Sequence, residues 1–250
     1  MPDQTRVAPH TSDPVDAVVA DVRAELWAAA DPDRAPAMQA YMKSALPYYG
    51  VSMPQCRRLW RRCFDVALTN EQWLAAQNLL WDEADYREER YAAIGLARHR
   101  RFAGLQDAAL LPHYARFIVG GAWWDLVDEI ATHLVRDLLD ADPDTVAPQL
   151  RAWSTAPDMW LRRTSIICQV GRGEDLDQRL LSDAIEANLD GSSGRGPAMS
   201  AYGKEFFIRK AIGWALRDHA RSDRAFVAEY VDQHRAHLSG LSIREATKHL

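Results

Sequence analysis

The sequence predicts an all-α protein. Apolar residues recur at three- and four-residue spacing along almost the whole chain, and helix-start signals such as Asp-Pro stand before several of those runs. No stretch alternates apolar and polar residues between hairpin turns, as a half-buried strand would.

The elements follow in order. Residues 1–14, "MPDQTRVAPHTSDP", are polar with three prolines and read as a disordered arm. "VDAVVADVRAELWAAA" then carries a helical apolar stripe, and "DPDRAPAMQAYMKSAL" opens on Asp and Pro signals for a new helix. Helical segments rich in aromatic and basic residues recur as "WDEADYREERYAAIGLARHRRF", "WWDLVDEIATHLVRDLL", "WLRRTSIICQVGR" and "EFFIRKAIGWALRDHAR". Their spacing of roughly 35–50 residues, with helices such as "PDTVAPQLRAWSTAP" between them, suits antiparallel helix pairs stacked into a superhelical solenoid of HEAT or armadillo type. A compact helical bundle is the competing arrangement. The reading gives one domain over 15–250, interrupted by a flexible Gly/Ser/Pro loop at about 188–203, "NLDGSSGRGPAMSAYG".

Composition bounds the function. The 250 residues, 48% of them hydrophobic, suffice for a sizeable core, and no apolar run is long enough to cross a bilayer. Cys56, Cys63 and Cys168 lack CxxC spacing, which predicts reduced thiols of a cytoplasmic protein and no zinc site. A net charge of −5 speaks weakly against nucleic acid. Yet of 30 basic residues only four are lysines, leaving 26 arginines, the side chain suited to bidentate phosphate contacts. A GC-rich genome explains that bias equally well, so local placement has to decide. Glycine-rich phosphate loops, HExxH and nucleophile-elbow patterns are absent from the sequence.

Local placement singles out "GGAWWDLVDEIATHL", residues 120–134. Trp124 and Asp128 are four residues apart and share a helix face with Val127 and Ala131, where leucine would pack better. A buried carboxylate costs several kcal/mol unless it is paired or hydrogen-bonded. Asp128 is therefore either held by a structural arginine or helix N-terminus, or it borders an open groove where an anion is useful. Asp125 is a first-turn charge favoured by the helix dipole. In "WLRRTSI", Arg162 and Arg163 point about 100° apart, so only one can join a given face, and a surface ion pair is the plain reading of each. "EFFIRKAIGWALR" adds Arg209, Lys210 and Arg217 around a stripe of Phe206, Phe207 and Ile212, with Trp214 as core or ligand. In "SIREATKHL", Arg244 and Lys248 are like charges four residues apart, a pair that repels unless an anion lies between them.

Together these blocks, with "AYMKSALPYYGVSMP" at residues 40–54, resemble the DNA alkylation repair enzymes, alkylpurine DNA glycosylases built from HEAT-like repeats. The resemblance covers nearly the whole chain after the arm. It implies a concave DNA-binding face, with Trp124 and Asp128 as the catalytic pair and Arg163 as an arginine of the active site and DNA backbone. It further implies that Trp214 completes an aromatic cleft with Tyr41 nearby, while Arg162, Arg209, Lys210, Arg244 and Lys248 contact DNA. The loop inserted before "KEFF" and the chain end at Leu250, just after "REATKHL", depart from the family pattern.

The chemistry fits such a site. Alkylation at purine N3 or N7 makes the base a cationic leaving group, and its departure builds oxocarbenium character on the sugar. An anion, a positioned water and aromatic faces stabilise that cation. The expected partner is double-stranded DNA containing alkylated purines. No cofactor, metal, membrane or obligate protein partner is expected, and the protein is expected to be a bacterial cytoplasmic monomer.

Overall fold

A computed structural model describes residues 13–189 and 202–250, and every regular element among them is helical. Most of the arm and most of the 188–203 loop, Arg195 included, lie outside the described residues. The described backbone falls into two compact units, Met1–Leu105 and Gln106–Leu250.

In the first unit, α1 (Pro14–Ala28) starts inside the segment read as an arm. Asp13 caps it by accepting the Val15 N–H at 2.9 Å, and proline suits the first helical position because its missing N–H is not needed there. It buries Val15, Val18, Val19, Val22 and Leu26, a stripe that repeats every three or four residues. α2 (Ala35–Met42) buries no side chain and stops at Lys43, whose φ of 50° is left-handed. Reciprocal Ser52/Gln55 and Thr69/Gln72 capping boxes open α3 (Met53–Cys63) and α4 (Asn70–Asp82). α5 (Arg87–Ala97) packs on α4, with α1 against α3 and α4.

The inside of this unit is not purely apolar. Glu88 and Glu89 are fully buried within the charged-looking run "YREERY". Glu88 accepts N–H bonds from Tyr49, Gly50 and Val51 at 2.9–3.1 Å, pinning the 48–51 turn to α5. Glu89 takes Arg23 at 2.8 Å and the Tyr49 hydroxyl at 3.0 Å. Gly50 has to be glycine, for its φ is +85° and a Cβ would lie 2.1 Å from the Asp31 carbonyl oxygen.

The second unit runs through α6 (Leu111–Gly121), α7 (Trp124–Glu129), a π-helical segment (Ile130–Val135) and α8 (Arg136–Ala141). It continues with α9 (Pro143–Ser154), α10 (Met159–Ile167), α11 (Gln178–Glu186), α12 (Phe206–His219), α13 (Arg224–Gln233) and α14 (Gly240–Ala246). Aspartate caps recur: Asp142, Asp158, Asp177 and Asp223 each accept a first-turn N–H. α12 packs against both α10 and α14, burying Ile208, Ile212 and Leu216 beside Ile166 and Ala246. Gly213 permits that approach, since a Cβ there would sit 2.5 Å from Cβ of Glu245. The helices α7, α10 and α12 carry the residues of interest.

Candidate active site and nucleic-acid interface

α6 ends at Ala122, whose φ of 41° is left-handed, and the chain turns directly into Trp123 and α7. A non-glycine residue there is strained, which is common where a fold aims functional side chains. Trp123 leaves the turn to pack on Trp160 at 6.2 Å and Phe207 at 5.3 Å between ring centroids, and Trp160 meets Phe207 at 5.0 Å. These three rings tie the start of α7 to α10 and α12.

On this platform stands Asp128. Its carboxylate takes both prongs of the Arg163 guanidinium, Nε to Oδ1 and Nη2 to Oδ2, each at 2.7 Å. Nη1 of Arg163 goes to the Phe207 carbonyl at 2.5 Å, so all three elements share one ion pair. The Arg163 side chain is 4% exposed and that of Asp128 17%. Burial pushes the Asp128 carboxyl above its ordinary value, against the opposing pull of Arg163. Of the two alternatives the sequence leaves open for Asp128, the structure has the first. Asp128 is held by a structural arginine, and only its rim reaches water.

Arg163, expected at the active site and DNA backbone, lies packed beneath the carboxylate and gives three of its five N–H donors to Asp128 and the Phe207 carbonyl. Arg162 points the other way, as the 100° offset requires, and closes the C-terminal end of α9. It donates to the carbonyls of Ala156 at 2.5 Å, Thr155 at 2.9 Å and Ser154 at 3.2 Å, and lies over the Tyr202 ring. A guanidinium used in this way serves the fold.

Trp124 opens α7 and is half-buried. Trp214, also half-buried, packs against the core of the second unit. Tyr41 belongs to the first unit and is 74% exposed on α2. The stripe expected on α12 is incomplete, because Phe206 at its first position is 52% exposed.

The π-helical segment starting two residues beyond Asp128 was not legible in the sequence. Within it the Thr132 hydroxyl donates to the Asp128 carbonyl at 2.7 Å, a back-bond of a kind that disturbs helices. Wide turns of this sort gather at functional sites.

A second charged group lies on α12 and α14. The Glu245 carboxylate is nearly buried and collects Lys210 at 3.1 Å, Lys248 at 2.7 Å and Arg217. Led by the Lys248 hydrogen bond, Lys248 and Lys210 pull Glu245 down to about 2. The anion required beside Lys248 is therefore supplied by the protein itself, three residues before it. Arg244 is exposed, and the Nε of Arg209 is buried without a hydrogen-bond partner among the described residues. Three cations on one carboxylate leave an excess of positive charge facing solvent at Lys210 and Lys248, whose side chains are 37% and 49% exposed. Among the described residues, no group of three His, Cys, Asp or Glu is placed to hold a metal. No described helix is long and apolar enough to cross a membrane.

No curated protein matches the chain. A solved structure described as a predicted DNA alkylation repair enzyme from Enterococcus faecalis is similar to it, with 26% sequence identity and a TM-score of 0.73. That likeness covers 88% of this chain and 96% of the other. The pattern defining one family, described as DNA alkylation repair enzyme, matches residues 22–250, the stretch that holds Asp128, Arg163 and the Glu245 cluster. The chain belongs to the DNA alkylation repair enzyme family.

Proposed function

We propose that the protein is a monofunctional DNA glycosylase that hydrolyses the N-glycosidic bond of N3- and N7-alkylated purines in duplex DNA. The observation that carries this reading is Asp128: a carboxylate kept at a packed helix junction, with a 17% exposed rim, in a member of a DNA alkylation repair family. Arg163 fixes its orientation. Each carboxylate oxygen has two lone pairs and gives one to Arg163, so each keeps one for water.

In the proposed step the bond between sugar C1′ and the purine nitrogen breaks, and its electron pair neutralises the cationic base. Asp128 stabilises the positive charge left on the sugar and orients a water for attack at C1′. That water forms the new C–O bond, and its proton passes to Asp128 or to solvent. Trp124 and Trp214 offer aromatic faces to the cationic sugar. The step needs no metal or cofactor, because alkylation has already made the base a good leaving group. Without a lysine in the WWD or WLRR blocks, a Schiff-base lyase step has no nucleophile there.

We further propose that the helix pairs form a HEAT-like solenoid whose concave face takes the duplex, with Lys210, Arg244, Lys248 and Arg209 toward phosphates. The protein would act as a monomer in the bacterial cytoplasm. Incubation with duplex containing N7-methylguanine or N3-methyladenine tests the activity: free base should be released by the wild type and not by Asp128→Asn.

A second reading gains support from the ion pair itself. A carboxylate gripped on both oxygens is what a non-catalytic binder of bent or branched DNA would keep for stability. Tight duplex binding with no released base from any alkylated substrate would favour it. Neither binding nor release would favour a HEAT-type scaffold for protein partners.

A further inference from the structure

The first unit contains an open cleft of about 540 Å³ whose walls are aromatic: Trp27, Tyr48, Tyr49 and Tyr86, with Pro32 and Pro36 at its rim. This size falls within the roughly 300–1,000 Å³ of small-molecule sites. Trp27 is 69% exposed at the end of α1, an unusual position for an indole. Its ring stands at 88° to Tyr49, with centroids 6.5 Å apart, and Tyr49 stacks on Tyr86 at 3.8 Å. A flat ring lying on the Trp27 face would therefore stand nearly perpendicular to the Tyr49 ring.

Two ion pairs and one further carboxyl group adjoin these walls. Behind the rings, Glu89 accepts from the Tyr49 hydroxyl and pairs with Arg23. Glu88 accepts the backbone N–H of Tyr49 and has no cationic partner among the described residues. Beside the cleft, Arg34 is matched by Asp31 at 3.0 Å. Each guanidinium thus has its own carboxylate, and Glu88, which burial pushes above its ordinary value, is held by three backbone N–H groups, so the electron-rich ring faces themselves supply the attraction for a cation. Such a cage favours a planar cation over a neutral ring of the same shape.

We propose that this cleft binds a cationic N-alkylated purine, as free base or nucleoside, by stacking on Trp27 within the Tyr49–Tyr86 wall. The choice of purine rests on the alkylpurine reading of function, whereas the preference for a flat cation rests on the cleft itself.

The test is calorimetric titration of the full chain with 7-methylguanosine in mildly acidic buffer, where the purine is fully cationic, against guanosine. The methylated nucleoside should bind about fivefold more tightly or better. Trp27→Ala should weaken it about tenfold. This exposed residue can be removed without opening the core, and an unchanged circular dichroism spectrum checks that. Asp128→Asn should bind the nucleoside as the wild type does. Equal binding of both nucleosides, no binding of 7-methylguanosine, unchanged binding by Trp27→Ala, or loss in Asp128→Asn each overturns the proposal. Base release from alkylated duplex is scored separately, so a silent cleft in an active glycosylase sinks this inference alone. A filled cleft in an inactive protein sinks only the glycosylase reading.

Discussion

Asp128→Asn tests more than activity, because the carboxylate is one half of a buried pair. The substitution leaves the Arg163 guanidinium 4% exposed with its counter-charge gone. Of the two acceptors now at 2.7 Å, asparagine keeps one; its NH2 would face an Arg163 N–H, donor against donor. Removing one partner of a buried pair costs roughly 3–5 kcal/mol, and the retained acceptor sets the expectation at about 3. For a chain of 250 residues, each kcal/mol lowers Tm by about 2–4 °C, so melting should fall by about 6–12 °C. Differential scanning calorimetry at neutral pH reads it directly. Adding Arg163→Met to Asp128→Asn should recover most of the loss, since an apolar replacement strands no charge. A single variant melting within about 1 °C of the wild type would refute the reasoning, showing that water already screens the pair.

Other expectations follow from the same geometry. Glu245 has its folded-state pKa drawn from 4.5 to about 2, so its contribution to stability is present above pH 4.5 and is lost as pH falls toward 2. Thermal melts over that window should show a loss that Glu245→Gln flattens. Gly213→Ala should destabilise by about 1–3 kcal/mol in urea titration, because the added Cβ meets the Glu245 Cβ at 2.5 Å. Lys210→Ala and Lys248→Ala should each lower duplex affinity and reduce the log–log salt slope by about 0.9, if each meets one phosphate. Unchanged slopes would remove the α12–α14 cluster from the DNA interface.

The helices were legible because their signals are local. Valines 15, 18, 19 and 22 and the aspartates at 142, 158, 177 and 223 mark stripes and starts without help from the rest of the fold. Asp128 was legible as an oddity, but not its partner. Arg162 and Arg163 are chemically alike, and which one turns inward depends on how α10 is rotated against α7 and α12, a property of packing. Buried acids were hidden for the opposite reason. Glu88, Glu89 and Glu245 sit among other charges and read as solvated until the backbone N–H groups and cations that satisfy them come together. Phe206 was misjudged because the first position of a helix lies outside the stripe that the following turns define.

The widened coil at Ile130–Val135 makes the number of residues there matter as much as their identity. Each residue of an ordinary α-helix advances the side-chain direction by 100°. A chain one residue shorter at this place could wind without interruption, but with α8 held in place α7 would turn by about 100°. Its aspartate would then be swung away from the arginine that now grips it. Relatives carrying a single-residue gap in this stretch would thus share the scaffold while aiming the acid elsewhere.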